Sequence, residues 1–342
     1  MKALAFREHG GLDKLRYQDV PDPKLGDGDV LVRVRAAALN HLDLFVREGL
    51  PGLTLPMPFW TGCDIAGDVA EVGAAVQDVE LGDRVAVNPN LYCGRCEYCL
   101  RGEHSLCVRY GILGEHTHGG LAEYVAVEGR HVLKLPDAIR YEDAAAFVLV
   151  NMTAWRMLVT QARLRAGEDL LILGVGGGVS STAVQIGKLC GARVWVTSSS
   201  DDKLERARAL GADECINYTD RDLAEEARKL TAGRGVDMVV ENIGGQIMEK
   251  SIRALARNGR VVTCGATAGN DATWNVTRFF LAQQTIYGSF MGTKAELLHY
   301  ADCFADGRLK PVVDAVLPLA QAREAVSRLL HREQFGKIVL VP

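Results

Sequence analysis

The sequence predicts an α/β fold in two parts: a β-rich lobe first, then a doubly wound parallel sheet covered by helices on both faces. Three observations carry this. Short alternating runs of apolar and polar residues, punctuated by Gly and Pro, fill the first 140 residues. From Asp169 onward, apolar strands alternate with helical stretches, which is the pattern of βα units on a parallel sheet. The chain has 342 residues, more than a single hydrophobic core usually serves, so two domains are expected.

Each element follows from local pattern. Val30–Ala37 (VLVRVRAA) alternates and reads as a half-buried strand. Val85–Val87 follows the turn Leu81-Gly82-Asp83 as a short strand, and Ala122–Val127 is another. Around Ala144–Thr160 the pattern lengthens into helix. Residues 170–173 (LLIL) form a buried strand, Ser180–Leu189 a helix and 193–197 (RVWVT) a second strand. Asp202–Leu210 is a helix with Lys203, Glu205, Arg206 and Arg208 on its wet side, and Gly211 closes it. Strands continue at 237–241, 260–265 and 285–289. A helix (295–305), a strand near 312–317, a helix (320–331) and a closing strand KIVLV end the chain. There is no internal repeat and no low-complexity tract.

Composition narrows the function classes. Hydrophobic residues at 48% and charged residues at 24% describe an ordinary globular protein. A net charge of −4 argues against nucleic-acid or anionic-membrane partners. The longest apolar run, Ala144 to Val150, is far too short to span a bilayer. The opening MKALAFREHG lacks the apolar stretch of a signal sequence, so a cytoplasmic location is expected.

Four cysteines, Cys93, Cys96, Cys99 and Cys107, follow the spacing C-x2-C-x2-C-x7-C. Four thiolates within fifteen residues can close a tetrahedral zinc shell with no open position, the pattern of a structural site. Gly94 and Gly102 let the loop fold back on the metal. Disulfides are the alternative, and a reducing cytosol disfavours them. Cys63, Cys190, Cys215, Cys264 and Cys303 are scattered in apolar contexts and read as small buried thiols.

A strand, the turn GVGGG and a helix follow one another from Leu170, inside a β-α-β unit. A glycine-rich turn lets the backbone approach a pyrophosphate, whose charge the helix N-terminus stabilises. Gly176, Gly177, Gly178 and Val179, with Gly265 closing RVVTCG, are the candidate cofactor contacts. A tight βα turn without a ligand is the plain alternative. The second strand ends in Ser198-Ser199-Ser200 with Lys203 beyond, where NAD-binding folds place an acid. Hydroxyls plus a cation suit a 2′-phosphate, so NADP(H) is favoured over NAD(H). Asp201 and Asp202 follow closely and work against this, and Ser200 also suits an N-cap.

Taken together, VGAAVQDVELGDRVAVNP (72–89), the cysteine quartet, GGLAEYVAV (119–127), the GVGGGV turn and the terminal FGKIVLVP resemble the medium-chain dehydrogenase/reductase superfamily over essentially the whole chain. The resemblance implies a GroES-like catalytic domain over 1–150 with a zinc lobe at about 90–110. It implies a Rossmann NAD(P)-binding domain over 151–290, and a return to the catalytic domain over 291–342. The SSS-x-x-K stretch looks like the 2′-phosphate site of NADP-dependent cinnamyl alcohol dehydrogenases. Zinc alcohol dehydrogenases of the superfamily also carry a catalytic zinc. Its ligand positions fall here on Asn40, Cys63 and Leu149. An amide is a poor zinc ligand and leucine is none, and Cys63 with Asp64 falls short of the three ligands catalytic zinc needs. One structural Zn²⁺ per chain is therefore expected. The Asn40-x-x-Asp43 segment instead resembles the quinone oxidoreductase and enoyl reductase branch, which lacks that zinc and usually lacks the cysteine lobe too.

Without a Lewis acid, hydride transfer to an unactivated ketone loses several kcal/mol of charge stabilisation. An α,β-unsaturated carbonyl asks less, because the charge spreads into an enolate that hydrogen bonds can hold. NADPH-dependent reduction of an activated C=C bond or a quinone is the expectation. A zinc-type alcohol or aldehyde dehydrogenase, and a non-catalytic nucleotide-binding protein, are the alternatives. Asn40 would present its amide to the substrate oxygen, or serve as a cap. Asp43 would orient backbone or Asn40. Thr153, at the start of the junction helix, would lie near the nicotinamide, or simply start that helix. His41 matches a pyrophosphate-binding position, or faces solvent. His116 and His118 read as rim residues, and Tyr92, Phe45 and Trp60 as pocket walls or scaffold. No residue stands out as proton donor. The small-molecule substrate itself is not legible. Strand 285–289 falls where superfamily members pair sheets, so a homodimer, or a homotetramer, is expected.

Overall fold

The computed structural model describes residues 1–219 and 221–342 and divides into two units, Met1–Leu149 with Thr293–Pro342, and Val150–Gly292. The first unit is organised around the strand Asp29–Ala38. Its inward residues Val30, Val32 and Val34 are buried while Arg33 and Arg35 point out, as the alternation predicts. Asp64–Val72 pairs with it antiparallel on one side, followed by Arg84–Val87 and Val132–Lys134. Lys337–Val341 pairs antiparallel at its far end and carries Val313–Pro318, while Tyr124–Glu128 pairs along its near half. The last strands of the chain thus complete a seven-stranded sheet begun by the first. Phe6, Phe59, Ile65, Leu113 and Leu121 fill the core beneath it.

The second unit is a six-stranded parallel sheet. Its spatial order is Glu214–Asn217, Arg193–Ser198, Asp169–Ile172, Val236–Glu241, Leu255–Thr263, Thr285–Gly288. This is the doubly wound arrangement, and its order reverses beside the first strand, where ligands bind such sheets. Leu171, Trp195, Ile216, Val239 and Val261 form its core. The outermost strand, Thr285–Gly288, leaves an edge uncovered within the chain.

Several local expectations shift. The helix expected over 144–160 runs Tyr141–Trp155 and continues as a π-helical turn, Arg156–Gln161. Thr153 therefore sits in the last turn of that helix, not at its start; Glu142 and Asp143 occupy the first turn, where carboxylates complement the dipole. Helices His41–Glu48, Leu223–Leu230 and Gln246–Ala254 and the strands Asp64–Val72 and Glu214–Asn217 were not read from the sequence. Among the described residues no helix is long and apolar enough to cross a membrane.

Candidate functional site

The cysteine quartet is assembled locally. Gly94 and Gly102 adopt φ of 71° and 80°, so the loop reverses twice between ligands. All four sulfurs lie within 4.8 Å of one another, with Cys96 and Cys99 at 3.5 Å and Cys93 and Cys99 at 3.9 Å. Sulfurs each about 2.3 Å from one tetrahedral zinc would stand about 3.8 Å apart. The backbone N–H groups of Cys93 and Arg109 donate to Cys107 Sγ at 3.3 and 3.4 Å, which fixes the sulfur's position in the quartet. The donor set fits zinc, all nine cysteines are free of disulfides, and no other cluster of three or more ligand side chains occurs among the described residues. The lobe is tied to the returning chain: Lys294 N–H donates to His104 Nδ1 at 3.3 Å, and Lys294 Nζ to Arg130 O at 2.8 Å. Of the other cysteines, Cys63 and Cys303 are buried, while Cys190, Cys215 and Cys264 are only partly so.

The glycine turn leads from Asp169–Ile172 into the helix Gly178–Leu189. Gly177 is the N-cap and supplies no side chain to the first-turn N–H groups, which leaves them for an anion. A Cβ at Gly177 would meet only Gly174 O, at 3.9 Å, so packing within the chain does not demand glycine there. Val175 N–H and Gly174 N–H bond to Thr197 O and Oγ1 at 3.0 and 3.2 Å, fixing the turn against the second strand. Gly176 and Val179 lie in the same turn and first helical turn, and Gly265 follows the carboxyl end of Leu255–Thr263, at the same edge of the sheet. These residues suit a dinucleotide pyrophosphate.

The serine stretch is less free than its sequence suggests. Ser200 caps the helix Asp201–Ala209 by accepting from Lys203 N–H at 3.4 Å. Ser198 Oγ accepts from Ser200 N–H at 3.1 Å, and Asp201 accepts from Asn217 Nδ2 at 2.8 Å. Ser199 is the exposed member. Two of three hydroxyls are thus engaged with the chain itself, which weakens the 2′-phosphate argument.

In the first unit, sheet register builds a second polar cluster. Ala38 pairs with Asp64, and Leu39 N–H donates to Ile338 O at 2.9 Å. Three adjacent strands therefore bring Asn40, Asp64 and Lys337 to one end. Lys337 Nζ donates to Asn40 Oδ1 at 2.6 Å and to Asp64 Oδ2 at 2.8 Å. Asn40 Nδ2 donates to Asp64 Oδ2 at 2.9 Å and to Cys63 Sγ at 3.3 Å. Leu149 contributes its backbone N–H to Asp64 Oδ1 at 2.9 Å. Asp64 and Lys337 are 0% and 3% exposed, so this is an ion pair removed from water. Burial and the neighbouring Asp64 and Asp43 charges push the Cys63 thiol well above its ordinary range. The helix His41–Glu48 starts beside this cluster. Asp43 accepts Asn40 N–H at 2.7 Å and Gly62 N–H at 2.9 Å; burial raises its carboxyl, and these bonds, Thr61 and Lys337 oppose the rise.

Asp43 therefore orients backbone. The Asn40 carboxamide is saturated by its own unit, which corrects the expectation that it faces a substrate oxygen. Cys63 and Asp64 do meet at the second ligand position, but Leu149 offers only an amide proton, so a catalytic zinc does not fit. His41 opens its helix, and burial together with the Arg332 and Lys337 charges holds its ring below the ordinary histidine range. Thr153 is buried with an unpartnered Oγ1, the condition of a hydroxyl that a ligand would satisfy. His116 and His118 part company: His116 Nδ1 accepts Ile112 N–H at 3.1 Å, and His118 stacks on Trp60 at 3.7 Å. Tyr92 packs against the His104 and His131 rings, while Phe45 is exposed. Sequence reasoning missed Lys337. Its only sign was a lysine opening an otherwise apolar terminal strand.

Residues 26–137 match the alcohol dehydrogenase GroES-like domain, and residues 178–306 match the zinc-binding dehydrogenase family. The NAD-dependent alcohol dehydrogenase of Sulfurisphaera tokodaii is 32% identical over the full length of both chains. A solved NAD-dependent alcohol dehydrogenase is 46% identical with a TM-score of 0.96, again over all of both chains. Crotonyl-CoA carboxylase/reductase is 27% identical with a TM-score of 0.91, covering all of this chain and 88% of that one.

Proposed function

Because this chain belongs to the medium-chain dehydrogenase/reductase superfamily, we propose that it moves hydride between a nicotinamide dinucleotide and an alcohol–carbonyl pair, using one structural zinc and no catalytic one. The full-length likeness to NAD-dependent alcohol dehydrogenases, at 46% identity for the solved one, supports the reaction class. The absence of a metal-ligating third position at Asn40, Cys63 and Leu149 supports the zinc-free chemistry. The residues of this chain bind and orient: the glycine turn takes the pyrophosphate, Thr153 offers a buried hydroxyl, and Asp43 holds the backbone around Asn40.

A second reading follows from the same donor set. A site without a Lewis acid suits an activated C=C bond or a quinone, whose charge spreads over several atoms as hydride arrives. The likeness to crotonyl-CoA carboxylase/reductase favours it. For the cofactor, the relatives' names point to NAD(H), while the second strand ends without a carboxylate to repel a 2′-phosphate. Both dinucleotides are therefore accepted, with less than about tenfold preference. The uncovered edge Thr285–Gly288 supports a homodimer.

The test is a panel of alcohols with oxidised cofactor, and of aldehydes, ketones, enones and quinones with reduced cofactor, followed at the nicotinamide absorbance. Zinc is counted on the same preparation. Turnover of an alcohol–carbonyl pair at one zinc per chain is expected. Rates confined to enones or quinones transfer the assignment to the second reading, and two tightly held zinc ions per chain overturn the zinc-free chemistry.

A further inference from the structure

We infer that Glu115 is the acid–base group of the reaction: its carboxyl gives the proton that completes reduction of a carbonyl oxygen and takes it back when the alcohol is oxidised. The inference deepens the zinc-free reading above and rests on it.

Without a Lewis acid, the charge that hydride transfer leaves on oxygen must be met by a proton. The polar groups around Cys63 are committed elsewhere. Asp43 accepts two backbone N–H groups, Lys337 is bound by Asn40 and Asp64, and burial pushes the Cys63 thiol far up. Glu115 is not committed. It sits on a loop, residues 111–121, laid backbone to backbone on residues 60–62. Gly119, Gly120 and Leu121 N–H donate to the carbonyls of Trp60, Gly62 and Thr61 at 3.0, 2.8 and 2.9 Å. Gly114 and Gly62 adopt φ of 80° and 104°, and a Cβ on Gly114 would stand 2.8 Å from Gly62 N. Only glycine permits that approach. Glu115 follows Gly114 and Cys63 follows Gly62, so the contact brings the carboxyl to the Cys63 end of the sheet. Tyr110, whose hydroxyl donates to Asn90 Oδ1, lies within reach of both the Glu115 and Cys63 charges. Among the described residues no group donates a hydrogen bond to the Glu115 carboxyl. His116 Nδ1 stands 3.8 Å away but accepts Ile112 N–H, so it offers no proton there. Burial raises the Glu115 carboxyl, and the His116 ring opposes the rise. Tyr110 is also pushed up by burial, while Asp43, Asp64 and Lys337 act on the Cys63 thiol behind the loop. The side chain keeps 16% exposure, enough to exchange its proton with water. As hydride reaches the carbonyl carbon, the C=O π pair moves onto oxygen and takes the Glu115 proton; water then reprotonates the carboxylate. In an enone the same proton goes to the enolate. In oxidation the carboxylate accepts the hydroxyl proton as hydride leaves for the dinucleotide.

The test is reduction of benzaldehyde, and of 2-cyclohexenone for the second reading, followed against pH with the full-length protein. In the unsubstituted protein kcat for reduction should fall as pH rises through a limb above the ordinary carboxylate range, because the protonated acid is lost there. Oxidation of the alcohol should rise through the same limb, since it needs the carboxylate. Glu115→Gln should lower kcat for reduction about 100-fold, abolish the limb and leave KM for the dinucleotide within about twofold. Glu115→Asp should keep the limb with a smaller loss, and formate should restore part of the rate of Glu115→Ala. Infrared difference titration of the unsubstituted protein against Glu115→Gln reads the carboxyl without turnover, and should show it titrating above the ordinary range. A folded Glu115→Gln within about threefold of the parent rate, a limb that persists in it, or a Glu115 carboxyl that titrates in the ordinary range overturns the role of Glu115 and leaves the zinc-free reading standing. Two tightly held zinc ions per chain in the unsubstituted protein overturn that reading itself.

Discussion

The cysteine lobe and the Asn40–Asp64–Lys337 cluster lie in the same unit, and both hold polar side chains away from water. The lobe draws its four sulfurs from fifteen consecutive positions and leaves their charge to an ion from outside. The cluster draws its groups from residues 40, 63, 64, 149 and 337 and balances its charge internally, with Nζ to Oδ2 at 2.8 Å. The difference teaches where each derives its stability. The lobe has little apolar core of its own, Tyr92 and Tyr110 beside the cysteines, so a zinc ion in the quartet would supply most of what holds it. The cluster is held by the seven-stranded sheet, which would stand whatever ion occupied its end.

The largest effect should come from breaking the lobe. Cys99→Ser removes a buried ligand, so zinc content should fall from one per chain to near zero. Because metal binding supplies the lobe's folding energy, the chain should unfold about 10 °C or more below the parent. Calorimetry together with metal analysis checks this. A variant that loses zinc yet keeps its transition within about 2 °C would erase the contrast drawn above.

The cluster should respond next, and in a different way. Asp64→Asn leaves the Lys337 ammonium buried without a counter-charge, which should cost about 3–5 kcal/mol in denaturant unfolding. Adding Lys337→Met removes the stranded charge, and the double variant should regain much of that loss. Metal cannot be exchanged for anything so simple in the lobe, so recovery by a second substitution is peculiar to the internally balanced site. Costs that merely add would mean the pair is not coupled.

How much of this was legible follows the same division. The quartet, the glycine turn and most sheet strands were readable because their residues are neighbours in sequence or obey a short period. Asp64 was noticed only as a possible metal ligand, and Lys337 not at all. A lysine in GKIVLVP is unremarkable until strand pairing sets it beside residues nearly three hundred positions earlier, as its bond to Asn40 shows. Thr153 was placed at the wrong end of its helix because the apolar run Ala144–Val150 hides the true start at Tyr141. The serine stretch misled for a local reason: Ser200 was wanted by the helix that follows it, with Ser198 bound to its N–H.

The glycine turn is a control for the comparison, since it is contiguous like the quartet but built for a ligand that leaves. Gly177→Ala adds a methyl that the chain itself can accommodate, its nearest neighbour being Gly174 O at 3.9 Å. Stability should change by less than about 1 kcal/mol, while KM for the dinucleotide rises about tenfold with little change in kcat. A large loss of stability would show that this turn, like the lobe, is a structural device first.

The smallest effect belongs to the serines, and it asks whether an exposed position can decide specificity once its neighbours are committed. Ser199 is exposed, whereas Ser198 and Ser200 are bound to backbone at 3.1 and 3.4 Å. A carboxylate placed there by Ser199→Asp would accept from a ribose 2′-hydroxyl and repel a 2′-phosphate. The ratio of kcat/KM for NADH over NADPH should rise about tenfold, corresponding to about 1.4 kcal/mol, with the unfolding transition unmoved. An unchanged ratio would place the ribose elsewhere and return the question to Lys203 and Asp202, on the helix that Ser200 caps.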